Sequence, residues 1–274
     1  MNILMTLNQK YLKYMHIMLL SLCNEHQDEK LHIHLVSSDI LASDLDKIKK
    51  TLNQNIEFTI YKYQNENLLQ AKTTYRYPVD IYNRLYAIEY LPLNLERILY
   101  LDPDIIILKN LKDLYEMDFE DNYYIGATNV KKILTKINQI RNKADRSSYY
   151  LNTGVLLINL KKLRTCQDLN ELTEYIIKNT PRLILPDQDV LQGLYGDKVK
   201  LISHLTYNLS DRAITKHNLS MTKEFLIDET WVDNHAYILH FYGKNKPWKD
   251  NYKGILKPYY QKYDYIYHMK TSEK

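Results

Sequence analysis

The chain has 274 residues, of which 45% are hydrophobic and 26% are charged, and its formal net charge is +4. This composition suits one large globular domain and excludes collagen-like, disulfide-framework and wholly disordered chains. The chain has only six glycines, where average usage of about 7% would give roughly 19. Neither GxxxxGK[ST] nor GxGxxG fits their positions, which disfavours phosphate-loop kinases, GTPases and ordinary dinucleotide-binding dehydrogenases.

Apolar periodicity predicts strands alternating with helices along the chain. The predicted strands are residues 2–6, 31–36, 56–61, 97–101, 123–127, 155–160 and 236–240, and the predicted helices are residues 11–22, 41–52, 79–90 and 187–194. Residues 129–148 have no clear period and are predicted to form a mobile loop. The alternation predicts an α/β domain over residues 1–250, with one mostly parallel central sheet flanked by helices, and a helical tail over residues 251–274.

Cysteine content, hydropathy and charge bear on location and partners. Two cysteines suit a reducing compartment, so we expect a cytoplasmic protein. No apolar run reaches the roughly 18 residues that span a bilayer, and residues 15–23 are predicted to be a buried helix rather than a signal peptide, because His16 interrupts them. The small net charge gives no reason to expect nucleic acid as a partner.

The positive charge is concentrated at the C-terminal end of the sequence. Residues 244–274 contain eight lysines against two aspartates and one glutamate, together with six tyrosines. Lysine combined with aromatic residues favours an anionic membrane surface, which would place the protein peripherally at the inner face of the membrane. An ordinary solvated helix with a tyrosine-packed face is the alternative interpretation of this tail.

Two aspartates separated by one residue follow the predicted strand 97–101. Pro103 between Asp102 and Asp104 forbids a ladder hydrogen bond and favours extended backbone at Asp102, so the two carboxylates point to the same side. Two like charges near a core repel each other unless a cation joins them, and Mg²⁺ or Mn²⁺ is the simplest such cation. A bound ion could neutralise a diphosphate without a glycine loop. A polar turn after a strand is the competing interpretation.

A second polar segment, residues 240–248, follows the last predicted strand. The imidazole of His240 could complete a metal site with the two aspartates. Gly243 permits close approach of the backbone to a ligand, and Lys246 offers a positive charge to a phosphate. The alternative is a packed histidine beside a surface lysine.

Five segments resemble the retaining glycosyltransferases of family 8, in the bacterial galactosyl- and glucosyltransferase branch that includes the glycogenin relatives. The segments follow the order of the family along the chain, and they are residues 2–11, 100–104, 151–160, 186–193 and 240–248. The resemblance implies a GT-A fold, UDP-glucose or UDP-galactose as donor, and Mn²⁺ or Mg²⁺ held by Asp102, Asp104 and His240. It also implies a glycan, glycolipid or glycoprotein acceptor, and a role in cell-surface glycan biosynthesis.

The same resemblance implies which residues bind the donor. The implied contacts are Thr6, Asn8 and Tyr11 for uridine, Gly243 and Lys246 for the diphosphate, and Arg84, Asn152, Asp187 and Gln188 for the sugar. Leu7, Pro103 and Thr153 are implied as further donor-binding residues. The family often has aspartate where Asn8 stands, although an amide oxygen can still accept a hydrogen bond from a uracil N–H. Asp187 and Gln188 are the implied catalytic residues. Because an amide is a poor nucleophile, Gln188 favours front-face transfer over double displacement.

Two other functions compete with this interpretation. An aspartate-nucleophile phosphatase also uses DxD after a strand, but usually has Thr or Val where Ile106 stands, and would leave Asn8, His240 and Gly243 unused. A non-catalytic, sugar-nucleotide-binding subunit of a glycosylation complex is the other alternative.

Family members often have a carboxylate near Asn129 and Val130, and its absence leaves the donor hexose undecided.

Overall fold

The computed structural model describes residues 1–52, 55–70, 79–130 and 132–272. Within these ranges the chain forms strands β1 (Asn2–Thr6), β2 (Leu31–Val36), β3 (Ile56–Tyr61), β4 (Arg97–Leu101), β5 (Ile105–Ile107), β6 (Tyr124–Ala127), β7 (Val155–Asn159), β8 (Val199–Ile202) and β9 (Ile238–His240). The sequence predicts all of these strands except β5 and β8, which are only three and four residues long.

Seven strands form the central sheet, in the order β3-β2-β1-β4-β7-β6-β8. Strand β1 pairs in parallel with β2 and β4, β2 with β3, and β6 with β8, whereas β7 is antiparallel to both β4 and β6. The short strands β5 and β9 form a separate antiparallel pair. The predicted α/β architecture with a mostly parallel sheet is therefore confirmed.

Helices cover both faces of the sheet. They are α1 (Leu12–Glu25), α2 (Ala42–Lys49), α3 (Ala87–Tyr90), α4 (Lys112–Glu116), α5 (Lys132–Asn142), α6 (Leu160–Cys166), α7 (Leu169–Asn179), α8 (Pro186–Tyr195), α9 (His204–Tyr207), α10 (Asp211–Asn218), α11 (Glu229–His235) and α12 (Lys257–Ser272). The buried helix predicted at residues 15–23 is confirmed as α1. The helix predicted at residues 79–90 is instead a 3₁₀ helix, Val79–Tyr86, followed by α3.

The prediction of a mobile loop over residues 129–148 is wrong, because α5 lies within it. The large aliphatic side chains of α5 are exposed to solvent. Its contacts with the rest of the protein include hydrogen bonds from Gln139 and Asn142. Its four large aliphatic residues recur at helical spacing, but the segment is otherwise polar and basic, which obscures that period in the sequence.

The two central strands β1 and β4 are buried on both faces. Ile3 and Leu99 belong to one hydrophobic cluster, together with α1, whereas Leu4, Ile98 and Tyr100 belong to the cluster on the other face. Strands buried on both faces appear in sequence as continuous apolar runs rather than as alternating ones. The same alternation directs Tyr100 to the face on which Arg84 lies.

The C-terminal segment forms helix α12, as the helical-tail prediction expected, and it packs against α1. Tyr260 and Tyr263 are buried, and Lys13 forms an ion pair of 3.1 Å with Asp264. Lys270 donates to the carbonyl of Thr51 at 2.7 Å. The division into a domain and a tail at residue 250 stays a prediction. None of the helices in the described ranges has the length and apolarity to cross a bilayer.

His16 on α1 is expected to make the protein less stable in acid. Its Nε2–H donates to the Thr51 hydroxyl at 2.6 Å, since that hydroxyl itself donates to the Ile48 carbonyl. Burial, helped by the charge of Lys270, lowers the pKa of His16 to about 4. The folded state therefore binds fewer protons than the unfolded state between about pH 6.5 and pH 4, and stability is lost as the pH falls through that window.

The loss amounts to about 3 kcal/mol in the free energy of unfolding once the pH is below about 4. Urea unfolding at neutral and acidic pH measures it. His16→Gln keeps a donor to Thr51 but cannot titrate, so its stability should fall less between the two pH values. His235→Gln, at an exposed position, is the control and should behave as the unaltered protein does. An equal acid loss for His16→Gln and the unaltered protein would contradict the prediction.

Candidate metal and nucleotide site

Asp102, Asp104 and His240 come together where β4 and β9 end. One ligand atom from each lies within 4.8 Å of those of the other two. The Nε2 atom of His240 is 3.7 Å from Oδ2 of Asp102 and 3.3 Å from Oδ1 of Asp104. Strand β5 pairs with β9 so that Ile105 lies opposite His240, which places the preceding Asp104 beside the imidazole.

A chain of hydrogen bonds fixes the orientation of the His240 ring. The amide oxygen of Asn152 accepts from the Gly154 N–H at 3.2 Å and from Nδ2 of Asn208 at 3.0 Å. The amide oxygen of Asn208 is thereby turned to Nδ1 of His240, at 2.9 Å, so Nδ1 carries the proton. The other ring nitrogen, Nε2, is left with its lone pair facing the two carboxylates.

These three side chains fit a divalent cation. His240 Nε2 is buried, and no group in the described ranges forms a hydrogen bond with it. A lone pair this close to carboxylate oxygens is repelled unless a positive charge lies between them. Gly154 keeps the space open, because a Cβ there would lie 2.2 Å from Cε1 of His240 and 2.6 Å from Oδ2 of Asp102. Two carboxylates and an imidazole are suitable ligands for Mn²⁺ or a related ion.

Lys246 extends the site on the side of Asp104. Its ammonium donates to the Asp104 carboxylate and, at 3.0 Å, to the carbonyl of Phe241. Burial opposes ionisation of Asp104, whereas the Lys246 ammonium favours it and lowers the pKa of that carboxyl. Gly243 precedes Lys246 with a φ of 93°, a left-handed conformation that favours glycine, and open space surrounds its Cα.

A buried guanidinium joins Asp102 to Asp187. Nη1 of Arg84 lies 3.3 Å from Oδ1 of Asp102 and 3.2 Å from Oδ2 of Asp187, and it donates to the carbonyl of Thr153 at 3.0 Å. The guanidinium carbon lies 4.2 Å from the centre of the Tyr100 ring. Burial raises the pKa of Asp187, although Arg84 and the Thr153 hydroxyl, which donates to this carboxylate, oppose the rise. Arg84 and the Thr153 hydroxyl therefore favour the ionised form of Asp187.

Tyr100 links the end of β1 to this cluster. Its hydroxyl donates to Oδ1 of Asp102 at 2.8 Å and accepts from the Thr6 hydroxyl at 3.0 Å. Leu7 continues the pairing of β1 with β2 through a bond of 3.2 Å from its N–H to the carbonyl of Val36. The position of Thr6 is thus coupled to that of Asp102.

Asn8 and Tyr11 follow β1 at the same edge of the sheet. The amide oxygen of Asn8 is buried, and no donor in the part of the chain that the structure describes reaches it. The Tyr11 ring is 38% exposed and meets Tyr14 edge to face at 5.8 Å between ring centres. Tyr14 in turn stacks on Trp248 at 3.7 Å. An unsatisfied acceptor beside an exposed ring suits a heterocyclic base that brings an N–H.

Most of the residues predicted from sequence meet in one cluster. Direct contacts connect Thr6, Arg84, Asp102, Asp104, Asn152, Thr153, Asp187, His240 and Lys246, through Tyr100 and Asn208. Gln188 is half-buried in the first turn of α8, next to Asp187, and Pro103 is half-buried between the two aspartates. Tyr100 and Asn208 are members of the site that the sequence does not predict, although Tyr100 lies two residues before Asp102 and so points to its side.

Asn208 is expected to act on metal affinity through the His240 tautomer. Asn208→Ala removes the acceptor at Nδ1, so the ring is free to rotate or to place its proton on Nε2. Loss of such a partner ordinarily costs about 10–100-fold in metal affinity. Mn²⁺ titration calorimetry measures the effect. Asn208→Asp keeps an oxygen at Nδ1 and should lose less affinity; an unchanged affinity in the alanine variant would show that the hydrogen bond has no such role.

Comparisons with known proteins concern the family and the fold of this chain. The family model described as glycosyl transferase family 8 matches residues 2–252. A lipopolysaccharide 1,2-glucosyltransferase of Escherichia coli is 27% identical over 244 residues, which cover 85% of this chain and 69% of that protein. A lipopolysaccharide 1,3-galactosyltransferase of Salmonella typhimurium is 23% identical over 81% of this chain and 65% of its own. The crystal structure of the galactosyltransferase LgtC with donor and acceptor sugar analogues superposes on this chain with a TM-score of 0.78. The match covers 98% of this chain and 96% of LgtC at 21% sequence identity, and it supports the fold.

Proposed function

The chain is a glycosyltransferase of family 8 with a GT-A fold, and we propose that it transfers glucose or galactose from UDP to a saccharide acceptor in a reaction that requires Mn²⁺. The observation that carries the proposal is the cluster of half-buried Asp102 with buried Asp104 and His240, in which Nε2 of His240 faces the two carboxylates. A hard cation with a diphosphate is the partner that such a set accommodates best. We propose that Mg²⁺ can replace Mn²⁺ at this site.

The end of β1 would bind the uridine. The orphaned amide oxygen of Asn8 can accept the uracil imide N–H, and the Tyr11 ring can stack on the base. Thr6 and Leu7 would line the same pocket, with Thr6 held in place by Tyr100. Filling the acceptor of Asn8 removes the cost of a buried polar group without a partner.

Lys246 and Gly243 would receive the diphosphate, next to Pro103 and the two aspartates. The bound ion supplies electrostatic stabilisation of the negative charge that grows on the departing UDP. Lys246 already lies at the Asp104 carboxylate, from which its ammonium can turn to a phosphate oxygen. At Gly243 the absence of a side chain lets the backbone come close to the diphosphate.

Asp187 and Gln188 are the proposed catalytic residues, with Arg84, Asn152 and Thr153 around the sugar. Arg84 and Thr153 hold the Asp187 carboxylate in place for the donor sugar hydroxyls. Gln188 is a poor nucleophile, so we propose retention by front-face attack, in which the leaving phosphate takes the proton of the acceptor hydroxyl. Replacing Gln188 by Ala with near-total loss of activity, together with a trapped covalent adduct on the unaltered enzyme, would instead support double displacement.

We propose that the acceptor is a saccharide of a cell-surface glycolipid. The relatives named lipopolysaccharide glucosyltransferase and galactosyltransferase support this class. A glycolipid acceptor fits a cytoplasmic protein that binds peripherally to the inner face of the membrane, where the basic, tyrosine-rich tail would contribute. No specific observation favours the phosphatase or the non-catalytic subunit.

The test is a screen of UDP-hexoses in which release of UDP is measured with Mn²⁺, with Mg²⁺ and with a chelator. UDP release from UDP-glucose or UDP-galactose that depends on the metal is the expected result. Hydrolysis of simple phosphomonoesters without UDP release would favour the phosphatase. Binding of UDP-sugar without turnover in the presence of glycolipid acceptors would favour the binding subunit.

A further inference from the structure

Helix α5 presents a stripe of aliphatic side chains to solvent. Ile133, Leu134, Ile137 and Ile140 are 73%, 52%, 54% and 82% exposed. They are spaced at i, i+1, i+4 and i+7, so they share one side of the helix. We call these four residues the α5 face. Contiguous apolar surface of this kind marks a binding surface far more often than a single exposed leucine does.

The opposite, polar side of the same helix is the side that contacts the protein. Gln139 donates to the carbonyls of Arg146 and Ser148 at 3.0 and 2.8 Å. Asn142 is fully buried and donates to Asp189 at 3.1 Å and to Gln192 at 3.0 Å. An amphipathic helix on a globular protein ordinarily buries its apolar side. Here the hydrogen bonds hold the helix with its apolar side outward.

Basic residues surround the α5 face. The sequence from 128 to 144 contains five lysines and arginines and no acidic residue, and the side chains of Lys136 and Lys143 are exposed. Ile184, which is 60% exposed, lies in the segment that precedes α8. The Asp189 carboxylate holds that segment beside α5, because it accepts from the Ile184 N–H at 2.6 Å and from Arg141 at 2.5 Å.

We propose that the α5 face lies on the surface of an anionic lipid bilayer, with Ile133, Leu134, Ile137 and Ile140 inserted at the headgroup boundary and Lys136 and Lys143 at the lipid phosphates. Apolar residues on one side with lysine around them are typical of helices that lie in the membrane interface. The inference rests on the proposed function, because a glycolipid acceptor is the reason for this enzyme to bind a membrane.

A second copy of the chain fits this surface less well. Two copies meeting through α5 would bring two basic segments together without acidic residues from the same stretch to neutralise them. A stable protein interface also uses about 20–30 residues on each side, whereas α5 has 11 residues. Both features favour a lipid surface, which supplies negative charge and needs no matching shape.

The position of α5 would bring the membrane close to the donor site. Helix α5 packs against α8, and α8 carries Asp187 and Gln188 in its first turn. A bilayer lying against α5 would therefore be adjacent to the element that holds the proposed catalytic residues.

Sedimentation with lipid vesicles, in the absence of donor and acceptor, tests the inference. The full chain should bind phosphatidylcholine vesicles that contain phosphatidylglycerol and bind much less to phosphatidylcholine alone. Ile137→Asn with Ile140→Asn should lower the partition coefficient at least about tenfold, because two isoleucines lose their apolar contact. Lys136→Gln should weaken binding about fivefold, and only on the anionic vesicles.

Two double variants control for position. Leu93→Asn with Leu219→Asn removes aliphatics that are 83% and 84% exposed elsewhere and should leave binding unchanged. Tyr265→Asn with Met269→Asn alters the exposed side of α12. Loss of binding in this tail pair but not in the α5 pair would overturn the inference in favour of the tail.

Equal binding by the α5 pair and the unaltered chain, or no preference for anionic vesicles, would also overturn it. So would a dimer in light scattering that the α5 pair converts to a monomer. Thermal unfolding and UDP release in solution should be the same for the α5 pair and the unaltered chain. If no UDP-hexose releases UDP, by contrast, the proposed function is wrong, but the vesicle measurement still decides whether the α5 face binds membrane.

Discussion

Replacing Asp104 by Asn is expected to lower kcat/KM for hexose transfer by about a thousandfold or more. The amide keeps the size of the side chain but removes one of the two negative charges that face Nε2 of His240. It also removes the ionic partner of Lys246. A catalytic ion contributes several kcal/mol to the stabilisation of developing charge, and each 1.36 kcal/mol corresponds to about a factor of ten in rate.

Mn²⁺ titration and initial rates of UDP release at a series of Mn²⁺ concentrations are the measurements for Asp104→Asn. Affinity for Mn²⁺ and kcat/KM should fall together, and excess Mn²⁺ should restore part of the rate if weaker binding is the main defect. Asp121→Asn, at a fully exposed position, is the matched control and should leave both unchanged. Unaltered Mn²⁺ affinity in Asp104→Asn would show that this carboxylate is not a metal ligand.

The aspartate pair could be found from the sequence because it depends on local features. A buried strand, a proline and two carboxylates two residues apart are enough to place Asp102 and Asp104 on one side of an extended segment. His240 could be added because it too ends a predicted strand. The observed pairing of β5 with β9 supplies the reason they meet, but β5 is too short to have been predicted with its partner.

Other parts of the site depend on contacts that no local pattern encodes. Asn208 lies between α9 and α10, more than thirty residues before its partner His240 and away from any apolar period. Gly154 lies in segment 151–160, which resembles the family, but the need for glycine comes from the side chains of His240 and Asp102, which approach it from elsewhere in the fold. Only the family resemblance predicts Arg84 as a site residue, and only the fold shows that it is buried between two carboxylates.

Helix α5 illustrates a different limit of sequence analysis. Its aliphatic residues recur at helical spacing, but the rest of the segment is polar and basic, and that composition predicts a loop. Periodicity can show that one side of a helix is apolar, but it cannot show which side the protein contacts. The hydrogen bonds of Asn142 and Gln139 decide that question, and they form with residues distant from the apolar pattern.

Replacing Arg84 by Met is expected to lower the free energy of unfolding by about 3–5 kcal/mol, because it leaves buried carboxylates without their cation. Asp187 is almost fully buried and already has a raised pKa from burial, with Arg84 opposing the rise. Without the guanidinium, the pKa of Asp187 rises further. Methionine fills part of the same volume, so the loss reports on charge more than on a cavity.

The pH dependence separates charge from packing in this variant. A carboxyl whose folded pKa is raised binds its proton more tightly when folded, so the stability deficit of Arg84→Met should shrink as the pH is lowered from neutral. Urea unfolding of the variant and the unaltered protein, compared at each pH, measures it. Arg84→Met combined with Asp187→Asn should recover part of the loss, since the uncompensated charge is removed as well. Arg146→Met, at an exposed position, should change stability by no more than about 0.5 kcal/mol. A deficit that is independent of pH and not relieved by Asp187→Asn would mean that Arg84 stabilises the site through packing alone.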